Sequence, residues 1–289
     1  MHPKGVIYIR TVRKKYRLPP YSVLMTVYDK ELPANPNESL ESMLMQTYPP
    51  DELVLVCDGK LTCELNIIAK SFQSEFRDII KIIRIDENVG VGMANNAGIN
   101  ACSCPIIVKM DSDDISLPDR CAKQIILFAT HPELDIVGTF VEEFNSETGE
   151  TVSVKKMPVK HDQILKYARR RNPFNRQTIA FKKSAAESVG GYSDIKLCED
   201  YEFIVRMLQN GAVGQNIPEP LVRYRISDED FKKRGSWKQT KGFINVRRII
   251  HKSGFSSFAD MIIPCAIQLG LFILPSGFTK WVYKKILRK

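Results

Sequence analysis

No apolar run in this 289-residue chain approaches the roughly 20 residues that a membrane-spanning helix needs. The strongest, residues 261–274, is 14 residues long and is interrupted by Pro264 and Gln268. A transmembrane segment is therefore not expected. Nor is a secretory leader: within the first twenty residues only positions 6–9 are continuously apolar, beside Arg10, Arg13, Lys14, Lys15 and Arg17. The seven cysteines lack metal-ligand spacing. Cys102 and Cys104 are one residue too close for a CxxC knuckle, and no histidine stands nearby. Free thiols in a reducing compartment are the expectation. Fixed-period repeats and low-complexity tracts are missing too, which argues against a solenoid or a disordered chain.

What is present is ordinary in bulk and uneven in distribution. An apolar fraction of 44% and a charged fraction of 26% suit one large α/β domain, or a domain with a smaller appendage. The net charge of +9 would suggest a nucleic-acid partner if it were spread along the body. It is not. Positions 232–289 hold 13 Lys or Arg against one acid, Asp260, whereas the first 231 residues hold 29 basic and 32 acidic side chains. A basic tail interleaved with apolar and aromatic residues suits an anionic membrane surface, and no nucleic-acid partner is expected.

Periodicity predicts an alternation of strands and helices. Residues 21–27 (YSVLMTV) and 53–57 (LVLVC) read as short buried strands, and 79–85 and 106–110 as two more. Between them fall helical stretches. The first is expected to open with Asn35 as cap, Pro36 at the first position and Glu38 closing a capping box. The second covers about 63–76, and the third follows a Gly-rich turn at 88–92 and runs through Asn100. A β-α-β-α-β-α-β order with nearly continuous apolar strands predicts a mainly parallel, Rossmann-like sheet with helices on both faces. After Pro118 a helix is expected up to His131, then a strand at 136–141 and a turn at 145–149. Residues 160–201 read as irregular and polar, followed by a helix at 200–210 and a strand at 221–225. From about 228 the pattern turns basic and amphipathic, with helical stretches at 237–252 and 278–287.

Ligands of such sheets sit beyond the carboxyl ends of the strands, and Thr26, Val27, Tyr28, Asp58, Asp111, Ser112, Asp113 and Asp114 all fall there. Three carboxylates in four residues repel one another unless a cation or a hydrogen-bond network compensates. Hard oxygen donors favour Mg2+ or Mn2+, which bridge diphosphate oxygens. The competing expectation is that these acids cap the helix after Pro118 and face water.

The chain also resembles the family 2 glycosyltransferases, inverting enzymes of the GT-A fold, over roughly residues 21–225. The resemblance is carried by SVLMTVYDKE (22–31), LESMLMQTYPPDELVLVCDG (40–59), NVGVGMANNAGI (88–99), IIVKMDSDDISLPDR (106–120), NPFNRQTIAF (172–181) and VGGYSDIKLCEDYEFIVRM (189–207). Six blocks in the family's order are far more specific than any one of them. The resemblance implies that Thr26, Val27 and Tyr28 surround the nucleotide, that Asp58 meets the pyrimidine base, and that Asn96 lines the same pocket. It implies Asp111 and Ser112 near the ribose, Asp113 with Asp111 on the metal, and Asp200, second of the Glu199-Asp200 pair, as catalytic base. Two positions depart from the family: Cys57 replaces an acid common before the base-binding Asp, and Arg176 stands where a His is common.

The implied chemistry is one-step displacement at an anomeric carbon, with a metal on the departing nucleoside diphosphate and a carboxylate deprotonating the acceptor on the opposite face. A UDP-sugar carrying galactose or glucose is the expected donor, and a lipid-diphosphate-linked glycan of O-antigen or capsule assembly the expected acceptor. The expected location is the cytoplasmic face of the cell membrane. The domain expectation is a basic segment at 1–20, a catalytic domain at 21–228 (nucleotide half 21–115, acceptor half 116–228), and a helical membrane-associating extension at 229–289. A nucleotidyltransferase acting on sugar phosphates is the main alternative. It would place a Gly-rich loop with Lys or Arg directly after the first strand, where this chain has TVYDKE.

Overall fold

The computed structural model describes residues 18–227 and 236–273. Strand β1 (Tyr21–Val27) is almost wholly buried because apolar side chains face both sides. Val23, Met25 and Val27 enter one core, and Leu24 enters the other. Strand β2 (Glu52–Asp58) repeats the alternation, with Leu53, Leu55 and Cys57 on the first side and Val54 and Val56 on the second. This is the period of two expected of a strand covered on both faces. Helices α1 (Ala34–Leu44), α2 (Cys63–Glu75) and α4 (Arg120–Thr130) close the first core through Leu40, Met43, Leu65, Ala69 and Ile125. Helices α3 (Val91–Ala101), α5 (His161–Ala168) and α7 (Glu199–Gln209) close the second through Ala94, Ile99, Ile164 and Phe203.

Strands β3 (Ile80–Ile85), β2, β1 and β4 (Ile106–Asp111) lie side by side and parallel, as the helical crossovers require. The register sets Thr26 of β1 between Val56 of β2 and Asp111 of β4. Beyond β4 the sheet becomes mixed. β8 (Ala180–Lys182) runs antiparallel to β4 and to β6 (Leu134–Asn145), β6 runs parallel to β9 (Val213–Ile226), and β5 (Ile115–Ser116) is antiparallel to β9. β7 (Thr151–Lys155) pairs with β6 off the main path. The sheet thus has a parallel half and a mixed half, joined at β4. That is the GT-A arrangement.

Several local expectations are corrected. α1 starts at Ala34 after Pro33, and no side chain caps it. Asn35 lies inside the helix and donates to Glu31 Oε1 (2.9 Å), while Glu38 pairs with Arg225 (2.7 Å). The capping box is therefore absent. Residues 160–201 are not wholly irregular: they contain α5, a 3-10 turn at Arg176–Thr178, β8 and α6 (Lys183–Glu187). β6 and β9 are much longer than expected, because they pair with each other through polar positions, Glu142 with Arg223 and Glu143 with Tyr224, that apolar counting misses.

Two helices follow the catalytic domain. α8 (Trp237–Lys252) packs Val246 and Ile250 on Tyr201 and Val205 of α7. α9 (Phe258–Ile273) contains Pro264 and lies antiparallel on α8, with Trp237 against Phe272 (5.4 Å between centroids) and His251 against Phe258 (6.0 Å). No described helix is long and apolar enough to cross a membrane. The helix expected at 278–287, the charged positions beyond 273 and the basic segment before 18 lie outside the described residues.

Candidate active site

β4 ends in the acidic motif. Asp111, Asp113 and Asp114 each bring a carboxylate oxygen to within 4.8 Å of the others. The acids do not cap α4, which no side chain caps, and Asp111 and Asp114 are buried. Compensation comes from two cations. Lys109, itself buried two residues upstream on β4, pairs with Asp111 Oδ1, and Arg176 Nε reaches Asp111 Oδ2 at 2.9 Å. Burial alone would raise the Asp111 pKa, but Arg176 and Lys109 outweigh it and hold the carboxyl well below its ordinary range. Asp113 forms no ion pair among the described residues: burial, then the charge of Asp111, pushes it up to about 6. Asp114 takes the backbone N–H of Arg225 on Oδ1 (2.9 Å), while its buried Oδ2 has no hydrogen-bond partner among the described residues. That orphaned oxygen, beside two further carboxylates, is what a hard divalent cation would satisfy.

Buried Arg120 organises the strand end beneath the motif, donating through Nη2 to Lys109 O (2.6 Å). Ser39 Oγ donates to Asp111 O (2.9 Å), and Ser112 Oγ lies 3.4 Å from Glu31 Oε2. Thr26 is beside Asp111 through the strand register, Val27 is buried, and Tyr28 is exposed on the rim.

Asp58 ends β2. Its carboxylate accepts the N–H groups of Val89 (2.8 Å) and Gly90 (3.1 Å). The Gly-rich turn is therefore held by the residue expected to meet the base, so Asp58 has a local structural job as well as its place at the strand end. Gly90 has φ +89, a conformation that L side chains rarely adopt. Asn96 is likewise occupied. Its Nδ2 donates to Tyr192 O (2.8 Å), and its Oδ1 accepts from Tyr192 N (2.7 Å). The amide clamps α3 to the loop before α7.

That loop delivers the second carboxylate pair. Cys198, at φ 63 and ψ 25, is the one non-glycine residue with positive φ among those described, and it caps α7. Glu199 and Asp200 form the first turn, where the helix dipole favours anions. Glu199 is buried, and burial together with Asp200 raises its pKa. Asp200 Oδ2 accepts from Asn172 Nδ2 (2.8 Å) and stays partly open. Arg176 pairs with Asp111 and feels the charges of Asp200 and Glu199 as well, so both acidic groups act on it. Lys109, Asn172 and the bridging role of Arg176 were not assigned from the sequence. For Arg176, the exchange of a common His was the available signal.

With this geometry established, similarity to known proteins agrees with it. The profile of glycosyl transferase family 2 matches residues 22–190. A UDP-Gal:alpha-D-GlcNAc-diphosphoundecaprenol beta-1,3-galactosyltransferase of Escherichia coli is 35% identical over 271 residues, 94% of this chain and 98% of that one. The amylovoran biosynthesis glycosyltransferase AmsE of Erwinia amylovora is 34% identical, covering 92% and 98% of the two chains. Among solved structures, S. aureus TarS superposes with TM-score 0.63 at 16% identity, over 92% of this chain and 48% of that one. A Pyrobaculum calidifontis mannosyltransferase in complex with GDP-Man and Mn2+ gives 0.60 at 15% identity, over 96% and 86%. At such identities these two show the fold alone. The chain belongs to glycosyl transferase family 2. It is a hexosyltransferase of the surface-polysaccharide type, with a GT-A fold.

Proposed function

We propose that this enzyme moves galactose or glucose from a UDP-sugar to a hydroxyl of a lipid-diphosphate-linked glycan, with inversion, at the cytoplasmic face of an anionic membrane. The observation that carries this reading is the presence of two separate acidic groups, both of which act on Arg176. A clustered, partly orphaned set stands at Asp111, Asp113 and Asp114, and a separate carboxylate is held by Asn172 at Asp200. The name of the Escherichia coli relative, which specifies UDP-Gal and a GlcNAc-diphosphoundecaprenol acceptor, supports the donor and acceptor classes.

In this reading residues 21–228 form the catalytic domain, its nucleotide half at 21–115 and its acceptor half at 116–228, followed by the extension at 229–289. Thr26, Val27, Tyr28 and Asp58 surround the nucleotide, with Asp111 and Ser112 near the ribose. Asp113, with Asp111, holds Mn2+ or Mg2+. When bound, the cation offsets charge developing on the departing diphosphate. Asp200 accepts the proton of the attacking acceptor hydroxyl, and Asn172 aims it. The hydroxyl oxygen bonds to the anomeric carbon as the bond from that carbon to the phosphate oxygen breaks. A UDP-α-sugar therefore yields a β-linkage. Glu199 stays beside Asp200, and the charge of Asp200 adds to burial in raising the Glu199 pKa.

The test is a donor screen with UDP-galactose, UDP-glucose and GDP-mannose against a lipid-diphosphate GlcNAc, with and without Mn2+, read by mass spectrometry. A hexose adduct from a UDP-sugar that needs the metal is expected. Formation of a sugar nucleotide from a sugar phosphate would instead support the nucleotidyltransferase alternative.

A further inference from the structure

From position 173 to 181 every residue is buried except Arg176, whose side chain is 46% exposed. The turn that presents it is held from several directions. Asn175 Nδ2 donates to Thr139 O (2.9 Å), and Thr139 N donates to Thr178 Oγ1 (3.0 Å). Gln124 Nε2 donates to Thr178 O (2.8 Å), and Lys109 N donates to Ile179 O (2.8 Å). A rigid buried turn thus places one guanidinium beside Asp111 in the solvent-open cleft at the carboxyl end of β4. Its Nε is engaged by Asp111, and among the described residues no group accepts from Nη1 or Nη2. Neutralising Asp111 does not by itself explain the arrangement, because Lys109 already pairs with the other oxygen of that carboxylate. Holding a long side chain in one geometry costs rotamer entropy, and the four N–H donors on Nη1 and Nη2 are left without an acceptor among the described residues.

We propose that Arg176 is a diphosphate-binding residue, whose free Nη edge takes oxygens of a substrate diphosphate while Nε stays on Asp111. The planar fork of arginine matches two phosphate oxygens, which a histidine or a lysine cannot do in the same way. This inference rests on the reading above, in which both substrates carry a diphosphate. The pairing of Arg176 with Asp111, which that reading puts on the nucleotide side, together with the charge of Asp200, which it puts on the acceptor side, is compatible with either.

Calorimetry on the full chain tests this without relying on turnover. The probes are UDP and a short-chain alkyl-diphosphate-GlcNAc, with an uncharged alkyl GlcNAc glycoside as control, in Mn2+ and in EDTA. Arg176→Gln is expected to weaken at least one diphosphate probe about tenfold or more, the scale of one charge-assisted hydrogen bond. The uncharged glycoside should bind as before, and Arg176→Lys should recover part of the loss as a point charge. A loss confined to UDP assigns the donor diphosphate, and a loss confined to the lipid analogue assigns the acceptor diphosphate. Unchanged affinity of folded Arg176→Gln for both probes overturns the proposal. So does an equal loss for the uncharged glycoside, or a wild-type chain that binds neither diphosphate. A wild-type chain that binds UDP but transfers no hexose would refute the activity and leave the role of Arg176 standing.

Discussion

Asp113 sits just past the end of β4, partly open and outside both cores, so its side chain contributes little to packing. Asp113→Ala is expected to reduce transfer to background while shifting the melting temperature by no more than about 4 °C, the scale of 1 kcal/mol in a domain of this size. Paired transfer and thermal-melt measurements check this, and a folded variant with full activity would sink the metal-side assignment. Asp200 answers to a different assay. It is fixed by Asn172 and does not belong to the acidic cluster at the end of β4. Asp200→Asn keeps the shape and the Asn172 contact but loses the base, so kcat should fall by roughly 10² or more. Affinity for UDP should stay near wild type. A variant that lost UDP binding yet turned over normally at saturating donor would move Asp200 to the donor site.

Helix α3 and the loop before α7 come from distant parts of the chain, and Asn96 joins them by two hydrogen bonds to one backbone unit. The approach is close. A Cβ on Gly191 would lie 2.3 Å from Asn96 Oδ1, and one on Gly92 would lie 3.3 Å from Glu199 Cγ. α3 therefore locates the acidic turn of α7 by direct contact. Asn96→Ala leaves the Tyr192 backbone N–H and C=O without these partners, each worth about 1 kcal/mol. The expected result is a lower melting temperature and a lower kcat, with Asp200 less well placed and UDP affinity reduced much less. A variant in which UDP affinity collapsed while stability held would return Asn96 to the nucleotide pocket.

At the scale of the whole molecule, α8 and α9 divide the properties of the extension. α8 joins the catalytic domain through buried Val246 and Ile250, and Lys238, Lys241, Arg248 and Lys252 remain exposed on it. α9 leaves Phe258, Ile262, Ile263, Ile267, Leu269 and Phe272 exposed. The sequence analysis expected a membrane-associating extension, but α8 packs on α7. For α9 the anchor is the proposal, since an apolar helix beside exposed cations can lie in the headgroup layer of an anionic bilayer. Each Lys or Arg near such a surface contributes about 1 kcal/mol, screened by salt. The full chain should co-sediment with anionic vesicles, less so as salt rises, and the paired change Ile263→Asp and Ile267→Asp should release it without unfolding. Failure to bind at low salt by folded, active protein would leave α9 as a structural element only.

The sequence by itself determined the parallel half of the sheet, the ends of β1 and β4 and the span of α8, because these rest on local periodicity and short-range turn chemistry. It also pointed to both acidic groups, since carboxylates crowded at a strand end or a helix start are legible as neighbours in sequence. Only the tertiary structure decided what surrounds them. Arg176 lies 65 residues from Asp111, and Asn172 lies 28 residues from Asp200. Neither separation corresponds to a helical or strand repeat. The same holds for Asn96, which is 96 residues from Tyr192, and for the long partnership of β6 with β9. Such contacts arise where separate elements converge, and their strength comes from burial, where an unpaired polar group is costly. Local sequence therefore set which charges stand at the strand and helix ends, whereas packing chose their partners and left one edge of Arg176 open to the cleft.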